Sequence, residues 1–232
     1  MSTGAQMTVE PIARVLSLGG GVQSSTLYMM AVLGDISPTP DFAIFADTRG
    51  EKESTYEWLW WLAERHGHTV PIIIWSVGDL ALDLARSATE GGPRVSNPPL
   101  FTSPSGMLIQ KCTRDYKVAA IKRGIRWRMG WGRRGTPPGV IEQWIGISVD
   151  EADRMKVSPI RWQRLSYPLI DRGLSRGDCE SYLMRHARVP PKSCCVFCPY
   201  QSASRWLRMR DTAPRDWRRA VSIDEAIRGG IE

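Results

Sequence analysis

The run Arg14-Val15-Leu16-Ser17-Leu18-Gly19-Gly20-Gly21-Val22-Gln23-Ser24-Ser25-Thr26-Leu27 constrains this chain more than any other stretch. Apolar Val15, Leu16 and Leu18 read as a strand, three glycines and a set of hydroxyl residues break it, and an apolar helix follows. Glycine lets a backbone close in on an anion, and the unpaired N–H groups of a helix start point at it. Ser17, Gly19, Gly20, Gly21, Gln23, Ser24 and Ser25 are therefore the candidate phosphate-binding residues. A strand, a glycine loop and a helix in that order place the cradle near the start of an α/β domain.

Two common cradles are excluded. The P-loop ends in Gly-Lys-Ser/Thr, and no lysine precedes Lys52. The dinucleotide fingerprint needs a third spaced glycine, where Ser24 and Ser25 stand. What remains resembles the PP-loop of the ATP-pyrophosphatase and phosphoadenosine phosphosulfate (PAPS) reductase superfamily, whose fuller form is Ser-Gly-Gly-x-Asp-Ser. Gly19 replaces the first Ser and Gln23 the Asp, and Gly21-Val22-Gln23 matches the Gly-x-Gln of sulfonucleotide reductases. The resemblance implies a Rossmann-like fold of the adenine nucleotide α-hydrolase type, a parallel sheet with helices on both faces. It also implies an adenine nucleotide ligand, ATP or PAPS/APS, with Mg²⁺ as a possible companion.

A second segment extends the resemblance. Asp47, Thr48, Thr55 and Tyr56 keep the places of the Asp-Thr-Gly…Glu-Thr-Tyr stretch of PAPS reductases, with Arg49 in place of the Gly. Ligands of doubly wound sheets sit at the carboxyl ends of strands, where Asp47 and Thr48 fall. Further on, Trp144-Ile145-Gly146-Ile147-Ser148 leads into Asp150 to Arg154, and Pro168-Leu169-Ile170-Asp171 precedes Ser181-Tyr182-Leu183. These are similar to the Trp-x-x-Gly-x-Arg…Ser-x-x-Arg and Pro-x-x-Asp-Trp…Tyr-Leu segments, so the resemblance spans residues 13–185. On it, Asp47 borders the nucleotide, and Lys111, Arg114 and Arg154 neutralise developing negative charge.

The cysteines carry a separate signal. Cys195-Val196-Phe197-Cys198 is a Cys-x-x-Cys, which puts two thiolates on one turn, and Cys112 and Cys179 are the candidates to complete a four-sulfur site. Cys194 is either a spare or the replacement for Cys179. Four sulfurs suit a tetrahedral Zn²⁺ or a 4Fe–4S cluster equally. Five cysteines without the basic-then-apolar order of a signal peptide argue for a cytoplasmic protein with metal or redox chemistry. No apolar run approaches the about 18 residues of a membrane span. The Glu-Cys-Gly tail of thioredoxin-dependent PAPS reductases has no counterpart after Cys198.

Strands are expected at Val15–Leu18, Phe42–Ala46, Val70–Trp75 and Trp144–Ile147. Helices are expected from Ser25 to Leu33, from a Ser54-to-Glu57 capping box to Gly67, over Asp79–Ser87 and over Thr113–Arg123. Thr89–Met107 reads as a long proline-rich loop. The organisation that follows is a flexible 1–12, a nucleotide-binding α/β domain over 13–158, and a helical, cysteine-bearing part over 159–232. The net charge is +7, and nine basic residues fall between Lys111 and Arg134 against one acid, Asp115. With Trp127 and Trp131 interleaved, that segment suits a DNA or RNA backbone.

The sequence therefore points to an enzyme that binds an adenine nucleotide and performs sulfur transfer or adenylation-dependent modification, with nucleic acid as a possible acceptor and a sulfur-donor protein as a possible partner. DNA-phosphorothioation and tRNA-thiolation enzymes share the superfamily. The competing readings are a sulfonucleotide reductase that releases sulfite, and a nucleic-acid-binding protein with a structural metal knuckle.

Overall fold

A computed structural model describes residues 9–90, 98–102, 106–107, 109–132 and 134–228. Its strands are β1 (Ala13–Ser17), β2 (Phe42–Ala46), β3 (Ile72–Trp75), the two-residue β4 (Phe101–Thr102) and β5 (Gly106–Met107), β6 (Ile141–Ile145) and β7 (Gln163–Ser166). Five of them form one sheet in the order β3-β2-β1-β6-β7, and every neighbouring pair is parallel. β4 and β5 pair antiparallel apart from it.

A parallel sheet is covered on both faces, so its strands are apolar on both. On β2, Ala43 and Phe45 enter one core, while Phe42 and Ile44 enter another on the opposite face. The helices are α1 (Val22–Leu33), α2 (Glu53–His66), α3 (Leu80–Glu90), α4 (Ala119–Arg128), α5 (Pro168–Asp171), α6 (Arg176–His186), α7 (Ala203–Thr212) and α8 (Pro214–Arg228). A π-helical turn, Thr113–Val118, leads into α4. Side chains from α1, α2 and α6 pack on the first face. α4 covers the second, and Gly124 lets it come close: a Cβ there would stand 2.4 Å from Ile44 Cδ1. A third core joins α3, the π-helical turn, the cysteine segment, α7 and α8. The architecture is α/β and Rossmann-like, with helices on both faces of a parallel sheet.

Several boundaries differ from expectation for identifiable reasons. α1 begins at Val22, which places Gln23, Ser24 and Ser25 in its first turn. α2 begins at Glu53, and no capping box forms; its N-cap, Lys52, makes no side-chain cap. The box appears instead at Ser175 and Asp178, heading α6. β7 went unread because Gln163-Arg164-Leu165-Ser166 is short and mostly polar, as an edge strand can be. It lies past residue 158, so the sheet draws on the segment expected to be a C-terminal appendage. Residues 1–8 of the expected flexible N-terminus, and 91–97 and 103–105 of the expected proline-rich loop, lie outside the described residues.

β1 is flanked by β2 and β6, so the chain turns one way after β1 and later returns on its other side. That is a topological switch point, where the crevice at the carboxyl ends of strands opens. Here the end of β6 touches the start of α1. A Cβ at Gly146 would lie 2.6 Å from the Ser24 backbone nitrogen and 3.0 Å from the Gln23 carbonyl carbon. Neither atom can move without moving the helix start. Gly146→Ala is expected to destabilise the protein by about 1–3 kcal/mol, the usual cost of overpacking, as read from urea unfolding.

Candidate functional site

The glycine loop leaves the sheet once the Leu18 N–H has bonded the Ile44 carbonyl at 2.9 Å. The Gly19 N–H then donates to Ser24 Oγ at 3.0 Å, and Ser24 Oγ donates back to the Gly21 carbonyl at 3.3 Å. Ser24 thus closes the loop on itself. Gly20 has φ +69, the left-handed region that favours glycine, and Gly21 caps α1 with no side chain covering the helix start. The first-turn amides of α1 consequently point into the crevice without a side-chain partner, the arrangement that takes an anion.

Two of the candidate phosphate ligands are also tied to the fold. Ser25 is fully buried and accepts from Trp58 Nε1 at 2.8 Å, and Ser17 Oγ accepts from Gln143 Nε2. Thr55 was not expected at the cradle as a ligand, yet its methyl lies 3.2 Å from the place of a Gly20 Cβ. Its hydroxyl is buried and has no hydrogen-bond partner among the described residues. A buried polar atom left in that state costs free energy until a water or ligand meets it.

On the β6 side, Gln23 is held at both ends of its amide. Nε2 donates to Ser148 Oγ at 3.4 Å and Glu151 Oε2 at 3.2 Å, while Oε1 accepts from Arg176 at 3.2 Å. Arg154 pairs with Glu151 at 2.7 Å. An Asp at position 23 would be shorter than Gln23 and would set a second carboxylate towards Glu151. Arg176 is a residue the sequence reading missed.

On the β2 side, Asp47 Oδ1 accepts from the Arg49 N–H at 2.7 Å and the Tyr56 hydroxyl at 2.6 Å. Burial, reinforced by the Asp47 carboxylate, raises the Tyr56 phenol above its ordinary range, so it stays a donor. Thr48 is fully buried: its hydroxyl accepts from the Gly50 N–H at 3.2 Å and lies 3.3 Å from Cys195 Sγ. It therefore holds the turn and the cysteine segment together. Behind it Glu51 is also fully buried, pairs with Lys117 Nζ at 3.1 Å and accepts from Ser193 Oγ at 3.4 Å. Burial alone would lower the Lys117 ammonium, but Glu51, with Cys195 and Cys112 nearby, outweighs it and holds it above its ordinary value.

The cysteines divide into two places. Cys112, Cys195 and Cys198 belong to the third core, and burial pushes the Cys198 thiol up with Cys194 and Cys112 adding to the rise. Cys179 lies in the first core between α6 and α1, and its carbonyl accepts from the Thr26 hydroxyl at 3.2 Å. It is not brought to the others. α6 packs on α1 across the sheet face, so its one inward cysteine points away from the knuckle. Cys194 and Cys112 lie near enough to Cys198 to act on its thiol electrostatically. Among the described residues no three His, Cys, Asp or Glu side chains stand grouped as a formed metal site. The segment abuts the glycine loop: Ser193 Cβ lies 3.8 Å from the place of a Gly20 Cβ.

Part of the basic run from Lys111 to Arg134 is engaged within the molecule. Arg114 pairs with Asp115 in solvent at 2.7 Å, Arg126 donates to the Gly132 and Gly135 carbonyls, and Arg128 lies over the Phe42 ring. Lys117 is the member of the run that reaches the site, where Lys111 and Arg114 were expected. Arg133 lies outside the described residues. Among the described residues no helix is long and apolar enough to cross a membrane.

No family model matches the sequence, and no curated protein matches it. Among solved structures, the chain is similar to a phosphoadenylyl-sulfate (PAPS) reductase from Candida auris, solved as a phosphate complex. The two share 15% identity over 77% of this chain and 74% of that one, with a TM-score of 0.48.

Burial pushes the Cys179 thiol up to about 11 from an ordinary value of 9.0. Between those two pH values the folded protein keeps a proton that the unfolded chain has lost, so stability falls as pH rises through the window. Cys179→Ala is expected to flatten that part of the stability profile measured by urea unfolding from pH 8 to 11.

Proposed function

We propose that this protein is an enzyme that binds an adenine nucleotide through the Gly19–Ser24 loop and carries out sulfur transfer or adenylation-dependent modification beside it. The observation that carries this reading is the adjacency of two chemistries. A glycine loop with open helix amides receives phosphate, and the cysteine segment meets that loop at Ser193. Asp47, fixed by Tyr56 and the Arg49 amide, borders the nucleotide from β2, and Arg154 and Arg176 border it from β6. The resemblance of Gly21-Val22-Gln23 and Asp47-Thr48 to sulfonucleotide-binding motifs supports the same ligand class.

Gly21 gives a clean test. Nothing lies within 4 Å of a Cβ built there, and its φ of −95 is open to any residue. Gly21→Val should therefore fold normally and block only the close approach of a phosphate. Isothermal titration with ATP, AMP and PAPS is expected to show binding to the native protein and none to Gly21→Val. Equal binding by both would remove the loop from the site.

Cys112, Cys194, Cys195 and Cys198 are the residues that would hold a metal or cluster, a soft donor set suited to Zn²⁺ or iron–sulfur, with Lys117 as the neighbouring positive charge. Such a group would supply a sulfur-binding or electron-carrying centre next to the nucleotide. Metal analysis after anaerobic purification is expected to find iron or zinc, retained in Cys179→Ser and lost in Cys112→Ser and Cys198→Ser. Metal retained in both of the latter would leave the knuckle without a metal role. A sulfonucleotide reductase is the competing reaction on the same site; sulfite release from PAPS with a thiol reductant would select it.

A further inference from the structure

α8 grips the turn that carries Asp47 from outside. α2 begins without a side-chain cap of its own. Both Asp216 carboxylate oxygens accept from the Glu53 N–H, at 3.2 and 3.3 Å, so the cap arrives from a residue far along the chain. One turn further along α8, Arg219 donates to the Glu51 carbonyl at 3.4 Å and to the Arg49 carbonyl. Asp216 is only 7% exposed, and burial raises its carboxyl above the usual range. The molecule thus desolvates a charge to make this contact. The same face of α8 is fixed in the core: Ala220 and Ile223, one and two turns beyond Asp216, pack with Leu80 and Leu84 of α3.

What α8 holds is a strained turn. Arg49 has φ +57, the one positive-φ position among the described non-glycine residues. Such a residue persists only where its surroundings over-determine it. Its N–H is fixed by Asp47 and its carbonyl by Arg219. The peptide groups on either side of Arg49 therefore have partners from both the turn and the helix.

We infer that α8 is a positioning element for the candidate site: Asp216 and Arg219 hold the 47–53 turn, with Arg49 left-handed, in the shape that presents Asp47 to the crevice. The inference rests on the nucleotide reading only for what the turn is presented to. Asp216 and Arg219 are positioning residues, acting through the Arg49 and Glu51 carbonyls and the start of α2.

Native-state hydrogen exchange and nucleotide titration of the full chain test it together. Arg219→Ala removes no acceptor from any amide of the turn. Faster exchange at Arg49, Gly50 and Glu53 in that variant therefore reports motion of the turn and not a lost hydrogen bond. Exchange at all three is expected to rise, and ATP or PAPS affinity to fall by about tenfold, the scale of a lost helix cap. Arg49→Gly should restore most of that affinity in the Arg219→Ala background, because glycine adopts the left-handed conformation unaided. Arg215→Ala, which breaks only the exposed pair with Glu53, should leave exchange and affinity as they were. Native exchange at Arg49 and Gly50 in folded Arg219→Ala and Asp216→Ala would overturn the inference, as would unchanged affinity in both. If the native protein binds no nucleotide while exchange at the three amides still rises, the grip of α8 stands and the nucleotide reading falls.

Discussion

The buried carboxylate of Glu51 ties this structure together. A carboxylate taken out of water demands partners, and Glu51 draws them from three separate parts of the chain: Thr48 of its own turn, Lys117 of the π-helical turn, and Ser193 of the cysteine segment. Glu51 is fully buried while Lys117 keeps 37% of its side chain exposed, so losing Lys117 leaves an uncompensated buried carboxylate at a cost that solvent partly screens. The geometry around it is therefore strongly coupled. The strand-to-helix turn after β2, the start of the α4 helix and the cysteine segment have to be in place at once.

That coupling explains why the third core lies where it does. Cys195 bridges to Glu51 in an isolated antiparallel pair, the Val196 N–H bonds the Gly50 carbonyl at 2.8 Å, and Phe197 packs against Gly50 closely enough to exclude a side chain there. Gln201 reaches back to the Cys195 and Val196 carbonyls while accepting from Lys52. The cysteine segment is thus laid against the sheet edge as an extra layer over the β2–α2 turn, and α7 and α8 close over it. The crevice has two different walls as a result. The β6 wall is a polar network of Gln23, Glu151, Arg154 and Arg176, and the β2 wall is thiol-rich with one buried ion pair.

Much of the sheet was legible because its signals are local. Phe42–Ala46 is a short apolar run bounded by turn residues, and Val15–Leu18 before three glycines has few other solutions. The glycine loop was readable for the same reason, since a left-handed Gly20 and an uncapped helix start are properties of a few consecutive residues. β7 was not legible, as Gln163 to Ser166 owes its strand conformation to pairing with β6 and to nothing in its own pattern. The bonds that Ser17 and Ser25 accept from Gln143 and Trp58 were not legible either, because those partners are distant in sequence.

The sequence by itself determined the parallel α/β class, the glycine turn between the first strand and the first helix, and the presence of a Cys-x-x-Cys turn, because each depends on backbone freedom and apolar spacing within a dozen residues. Only the tertiary structure decided which residues share the site. It set Cys179 in the first core, apart from Cys112, Cys195 and Cys198 in the third. It set Lys117 beside the buried Glu51 carboxylate, Arg126 on the Gly132 and Gly135 carbonyls, and Arg128 over the Phe42 ring. It also brought Asp216 across the molecule to cap α2. Most of these outcomes pair groups far apart in the chain. Burial decides such pairings, and burial is a property of the packed whole.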